Sequence, residues 1–145
     1  MKNLYETDFY AWTQEQARLL KTQTWAQLDT INLIEEISSL GRKERQELRN
    51  RLGVLLGHLL KWQYQPDNRS NSWLATIREQ RRETKILLQE SPSLKPYLLN
   101  AFHQAYETGV DLAVRDTNLP YETFPAICPY TLEQTLNSDF LPVEK

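Results

Sequence analysis

The sequence predicts an all-α fold: a single helical bundle of four to five main helices, with a proline-rich C-terminal tail packed on it. Three observations carry this expectation. Apolar residues recur at intervals of three and four along most of the 145 residues. Capping residues, glycines and prolines fall between those periodic stretches. A composition of 40% apolar and 25% charged residues is that of one ordinary globular domain, 1–145, with a single core.

The elements follow in order. Thr13-Gln14-Glu15-Gln16 has the form of a capping box, which predicts a helix over about Thr13–Lys21, with Phe9, Tyr10 and Trp12 as an aromatic lead-in. Asp29 or Thr30 can cap a second helix that ends at Gly41, a residue suited to the left-handed position after a helix. Its expected inward stripe is Leu33, Ile34, Ile37 and Leu40, with Glu35 opposite and Glu36 on the border.

The third and longest helix spans Arg42 to about Tyr64, on Leu48, Leu52, Leu55, Leu59 and Trp62. Residues 54–60 are apolar around nearly the whole circumference and so should be enclosed by protein. A bundle interior satisfies that pattern, and so does a homodimer. Gly53 and Gly57, one turn apart, cost about 1 kcal/mol each relative to alanine and open a face where another helix can come close.

Residues 65–71 break the chain, and Ser70 or Asn71 caps a helix over about Ser72–Gln89. Trp73, Leu74, Ile77, Thr84 and Leu88 face inward there, and Arg78, Arg82 and Lys85 face outward. Ser91-Pro92-Ser93 ends that helix and caps another, about Leu94–Asp116, with Pro96 tolerated in its first turn. The tail holds Pro120, Pro125, Pro129 and Pro142, and one short helix after the cap Thr131. Its Phe124, Ile127, Tyr130, Leu132 and Phe140 are too apolar for a free tail and should cover the bundle.

Charge is segregated along the chain. Residues 1–41 sum to −3, residues 42–85 to +6 and residues 86–145 to −5, beneath a total of −2. A basic middle between acidic flanks either neutralises itself on the surface or offers a basic face to a partner. The single cysteine, Cys128, excludes an intramolecular disulfide and a zinc finger. No window has the roughly 18 apolar residues of a membrane span, and the first ten residues hold acids where a signal peptide needs an apolar run. A cytoplasmic protein without membrane contact is expected.

Several strings resemble a known family. They are Leu28-Asp29, 32–42 (Asn-Leu-Ile-Glu-Glu-Ile-Ser-Ser-Leu-Gly-Arg), 55–66 (Leu-Leu-Gly-His-Leu-Leu-Lys-Trp-Gln-Tyr-Gln-Pro), Ser72-Trp73 with 77–81, 91–94, and Phe124-Pro125 with 128–130. Together they are similar to a bacterial, mainly cyanobacterial, family filed as domain of unknown function twenty-nine. The resemblance covers nearly the whole chain and implies an all-helical fold. It implies no reaction and no catalytic residues.

Function is therefore weighed from the residues. No histidine follows an acid by three positions, since Leu55 and Asn100 stand there, so a di-iron bundle site lacks its motif. No metal and no cofactor is expected. No Gly-x-Ser-x-Gly elbow or phosphate-cradling glycine loop is present either. Glu36 and Arg81, each at the margin of an apolar stripe, are expected to form an interhelical ion pair. An alternative groups Arg81 with Glu36, His58, Trp62 and Trp73 in an anion pocket, the site of a small-molecule or hydrolytic enzyme. A third reading, nucleic-acid binding, would set the solvated face of Arg78, Arg82 and Lys85, with Arg42, Arg45 and Arg49, on phosphates. The favoured expectation is a noncatalytic interaction module that binds an acidic protein partner through a basic ridge of Arg42, Arg45, Arg49, Arg78, Arg82 and Lys85. Accessory or antitoxin-like roles fit that expectation.

Overall fold

The computed structural model describes residues 3–143 as helices and connecting turns, with no strand among the described residues. The elements are α1 (Leu4–Thr7), α2 (Phe9–Lys21), α3 (Thr30–Tyr64), α4 (Asn71–Glu90), α5 (Leu98–Thr117) and α6 (Leu132–Leu136), with short 3-10 turns between them. The all-α expectation holds. Two compact units are present, Met1–Lys43 and Glu44–Lys145, and α3 runs through the boundary.

In the first unit, α2 starts at Phe9 rather than Thr13. The Asp8 carboxylate accepts from Ala11 N and caps the helix there, so the aromatic lead-in lies inside it. The Thr13 hydroxyl instead donates to the Tyr10 carbonyl (2.7 Å). The Trp12 indole N–H donates to Asp29 (3.0 Å), and the Gln16 side chain accepts from Asp29 N (2.9 Å). These two bonds hold α2 against the start of α3.

Gly41 does not end a helix. No glycine of the chain has a positive φ, and α3 continues for 35 residues. Good helix formers follow at once in Arg42, Lys43 and Glu44, and the Arg42 guanidinium reaches back two turns to Glu35 (3.0 Å). A glycine after an apolar run stops a helix only where the next residues decline to continue it. The expected inward stripe is also reversed. Ile34, Ile37 and Leu40 are exposed, while the half-buried positions are Asn32, Leu33, Glu36 and Ser39. The interior of this unit is built by hydrogen bonds from Asp29, Asn32 and Glu36, and these choose which face packs.

In the second unit, α3 and α4 form an antiparallel hairpin. The Lys61 ammonium lies over the Trp73 ring, Arg51 donates to Gln80 and the Ser91 hydroxyl donates to Glu44, so partner numbers fall on one helix as they rise on the other. Helix α4 is capped as expected by the Ser70 hydroxyl, which accepts from Trp73 N. Helix α5 runs parallel to α3. Gly53 lies against Ala105 and Thr108, and Gly57 against Gly109 and Leu112, so the two glycines mark a close helix crossing. Leu55, Leu56, Leu59 and Leu60 are fully buried in the chain's own core, which accounts for the apolar circumference without a second copy.

The helix expected from Leu94 begins later. Residues Pro92–Tyr97 form a 3-10 segment, with Pro96 inside it and no side-chain cap, and α5 starts at Leu98. Pro96 lacks the N–H that an α-helix would need once past its first turn. The tail does cover the bundle: Phe124 and Tyr130 are buried, and Leu132, Leu136 and Phe140 pack on the core. Ile127 departs from this, being 83% exposed in the Pro125–Pro129 loop. The Thr131 and Gln134 side chains close a capping box at α6.

Candidate functional site

Arg81 is the most informative polar residue of the second unit. It projects from the middle of α4 and is 3% exposed. Its Nε–H donates to the Thr135 carbonyl (2.8 Å), and Nη2 donates to the carbonyls of Phe140 (2.8 Å) and Gln134 (3.4 Å). In place of the expected ion pair, Arg81 and Glu36 each have partners within their own unit. Glu36 accepts from the Tyr5 hydroxyl (2.5 Å) in its own unit, and that bond is the main reason the Tyr5 phenol is pushed up to about 12. Backbone carbonyls returning from the tail take the place of the carboxylate, which is why a search for an oppositely charged side chain misses them.

Burial pushes the Arg81 pKa down, because desolvation penalises the charge. No carboxylate lies within ion-pair distance of it among the described residues, and Nη1 makes no hydrogen bond. A buried guanidinium held only by neutral carbonyls keeps its full positive charge uncompensated.

That residue lines a cavity of about 660 Å³ between α4 and the tail. Arg78, Arg82 and Lys85 add three more cations. Leu74, Ile77 and Leu141 supply apolar wall, and Ser138 and Asp139 lie on the tail side. Residues 74, 78, 81, 82 and 85 share a helix face because they recur every three or four positions. Of these, Arg82 is in loose contact with Glu83 (3.7 Å). Sequence reasoning separates Arg81 from Arg78, Arg82 and Lys85 by assigning them to different faces. It misses the tail contribution altogether, since nothing in the spacing of Ser138, Asp139 and Leu141 ties them to α4.

Of the six residues of the expected basic ridge, Arg78, Arg82 and Lys85 line this cavity and the other three have partners of their own. Arg45 stacks over the Tyr97 ring (5.1 Å) and Arg49 donates to the Tyr97 hydroxyl (2.6 Å), so both are drawn to the start of α5. Arg42 belongs to the first unit and is paired with Glu35. Each of these three arginines has a local partner, and the α4 cations share the cavity.

The members of the alternative pocket of Glu36, His58, Trp62, Trp73 and Arg81 likewise have partners of their own. His58 Nδ1–H donates to the Val54 carbonyl one turn back (2.9 Å), and burial lowers its pKa. Trp62 carries the Arg69 guanidinium on its ring (4.9 Å), and Trp73 carries the Lys61 ammonium (4.6 Å), itself bonded to Asp116 (2.9 Å). The faces of both tryptophans thus hold the chain's own cations. Of the five, only Arg81 lines the cavity. Burial also raises the pKa of Cys128, so its thiol stays protonated at neutral pH.

An all-helical protein with a cationic, partly apolar cleft is the class that fold and site define. The chain belongs to the family described as "Domain of unknown function DUF29", whose family model matches residues 4–141. No curated protein and no solved structure matched the chain. Among the described residues, no helix is long and apolar enough to cross a membrane, and no group of three or more histidine, cysteine or acidic side chains is placed to hold a metal ion.

Proposed function

We propose that the chain is a noncatalytic binding module that receives an acidic segment of a protein partner in the α4 cavity. One observation carries the reading: among the described residues the buried Arg81 guanidinium has no carboxylate within ion-pair distance, and it lines a cleft with Arg78, Arg82 and Lys85, with Asp139 on the tail side. A carboxylate entering there pairs with a charge already desolvated, so it meets a preorganised donor and not a hydrated one. Leu74, Ile77 and Leu141 add room for an aliphatic side chain beside the acid. The exposed Arg78, Arg82 and Lys85 steer approach, a contribution that salt screens.

The test is fluorescence anisotropy of the full chain with a labelled peptide of glutamates around a central leucine. Binding is expected, weakening with salt and abolished by R78E, R82E and K85E together. Stronger binding of a duplex or single-stranded oligonucleotide than of the peptide would move the assignment to nucleic acid. Affinity unchanged by the triple reversal would remove the cavity from the account.

A further inference from the structure

One lining residue of the α4 cleft carries the opposite charge. Four lining side chains are cations, Arg78, Arg81, Arg82 and Lys85, all on α4, and one is an anion, Asp139, on the tail. An aspartate that shares a cleft with four cations has ready partners. Among the described residues it takes none of them: no lysine or arginine nitrogen is within ion-pair distance of its carboxylate, and that carboxylate accepts no hydrogen bond.

The backbone keeps the opposite charges apart. The Asp139 N–H donates to the Asn137 side chain (2.9 Å), and the Phe140 N–H donates to the Asn137 carbonyl (3.1 Å), closing a turn over 137–140. The buried Arg81 bonds the carbonyls of Thr135 and Phe140, one before that turn and one at its end. The chain is thereby tied to α4 on both sides of Asp139, which lines the cleft as an exposed residue. A ligand that fills this cleft and is acidic throughout sets one of its anions against Asp139, and like charges so placed select against it. A segment with one basic side chain among its acids matches both sides, its acids meeting the α4 cations and its base meeting Asp139. A nucleic-acid backbone, anionic at every phosphate, cannot present that pattern.

We propose that Asp139 sets the specificity of the cleft: the acidic segment received there carries a lysine or arginine that pairs with Asp139. The proposal rests on the reading of the cleft as the seat of an acidic segment, and it names the charge pattern of that segment.

The experiment is fluorescence anisotropy of the full chain, natural and with D139N or D139K. The probes are the labelled peptide of glutamates around a central leucine and a series in which each glutamate in turn is replaced by lysine. The cleft is net positive, so its overall field favours the all-glutamate parent; a lysine member that binds tighter reports a local partner. At least one member is expected to bind the natural chain about threefold tighter than the parent, the scale of an exposed ion pair. That member should lose its advantage in D139N and fall below the parent in D139K. Far-UV circular dichroism of both variants should match the natural chain, since the Asp139 side chain is exposed. Parent binding with no lysine member tighter, or an advantage that survives D139N, overturns the assignment of Asp139 and leaves the acidic-segment reading standing. No binding by the parent or by any member removes that reading, and this proposal with it.

Discussion

Replacing Gly109 by alanine puts a methyl group into the crossing of α3 and α5. The new Cβ would lie 2.9 Å from Leu56 Cβ, 3.0 Å from Gly57 N and 3.2 Å from Gly53 O. Two of those three atoms are backbone, so no rotamer change relieves the contact and the helices must move apart. Overpacking of this kind costs about 1–3 kcal/mol, and the backbone contacts place G109A near the upper end. Alanine recovers about 1 kcal/mol of helix propensity, which leaves a net loss of about 2 kcal/mol. Gly53 provides the contrast in the same crossing. There the close atoms are Cγ2 and Cβ of Thr108, an exposed side chain that can turn outward, with Ala105 O at 3.6 Å. The clash and the propensity gain then nearly cancel. Urea unfolding monitored by circular dichroism reads both variants, and about 2 kcal/mol corresponds to a midpoint shift of roughly 1 M at the m-values of small proteins. G109A as stable as the natural sequence, or G53A the less stable of the two, would refute the reasoning that the glycines set the helix separation.

Three further outcomes are expected. Y130F should cost about 1–3 kcal/mol in a thermal melt, because the buried Tyr130 hydroxyl donates to Gln63 (2.7 Å) and its loss strands that acceptor; an unchanged melt would mean the amide finds another donor. Since burial lowers the folded-state pKa of His58 below 6.5, the unfolded chain binds the proton first. The His58 contribution is then complete above pH 6.5 and is lost as pH falls through the folded value. H58N should flatten the decline of stability below pH 6.5, and equal slopes in the two proteins would count against a buried neutral imidazole. R81M removes the donors to the carbonyls of Gln134, Thr135 and Phe140, so chymotrypsin should cut after Phe140 at least tenfold faster. Equal cleavage rates would show that apolar packing alone holds the tail.

Much of the second unit is legible in the amino-acid sequence. The leucines of 48–60, the caps Ser70 and Thr131, and the close approach at Gly53 and Gly57 all depend on local periodicity, turn chemistry or side-chain size. The misreadings share a cause. Thr13, Gly41 and Ser93 each carry a valid local signal that a neighbour overrules: Asp8 caps earlier, Arg42 to Glu44 continue the helix, and the Pro96 geometry keeps the segment in 3-10 form. The stripe at the start of α3 reads as inward because apolar periodicity identifies a face without saying whether anything lies opposite it.

The candidate site divides along the same line. The amino-acid sequence by itself determined the all-helical class, the basic middle of the chain and the shared face of Arg78, Arg82 and Lys85, because helical pitch converts spacing into direction. Only the tertiary structure decided that Arg81 is buried beneath the tail, that Arg45 and Arg49 turn to Tyr97, and that tail carbonyls stand where a glutamate was expected. Backbone carbonyls are identical at every residue and carry no sequence signature, so a buried arginine that pairs with them is readable only once the chain has folded back over it.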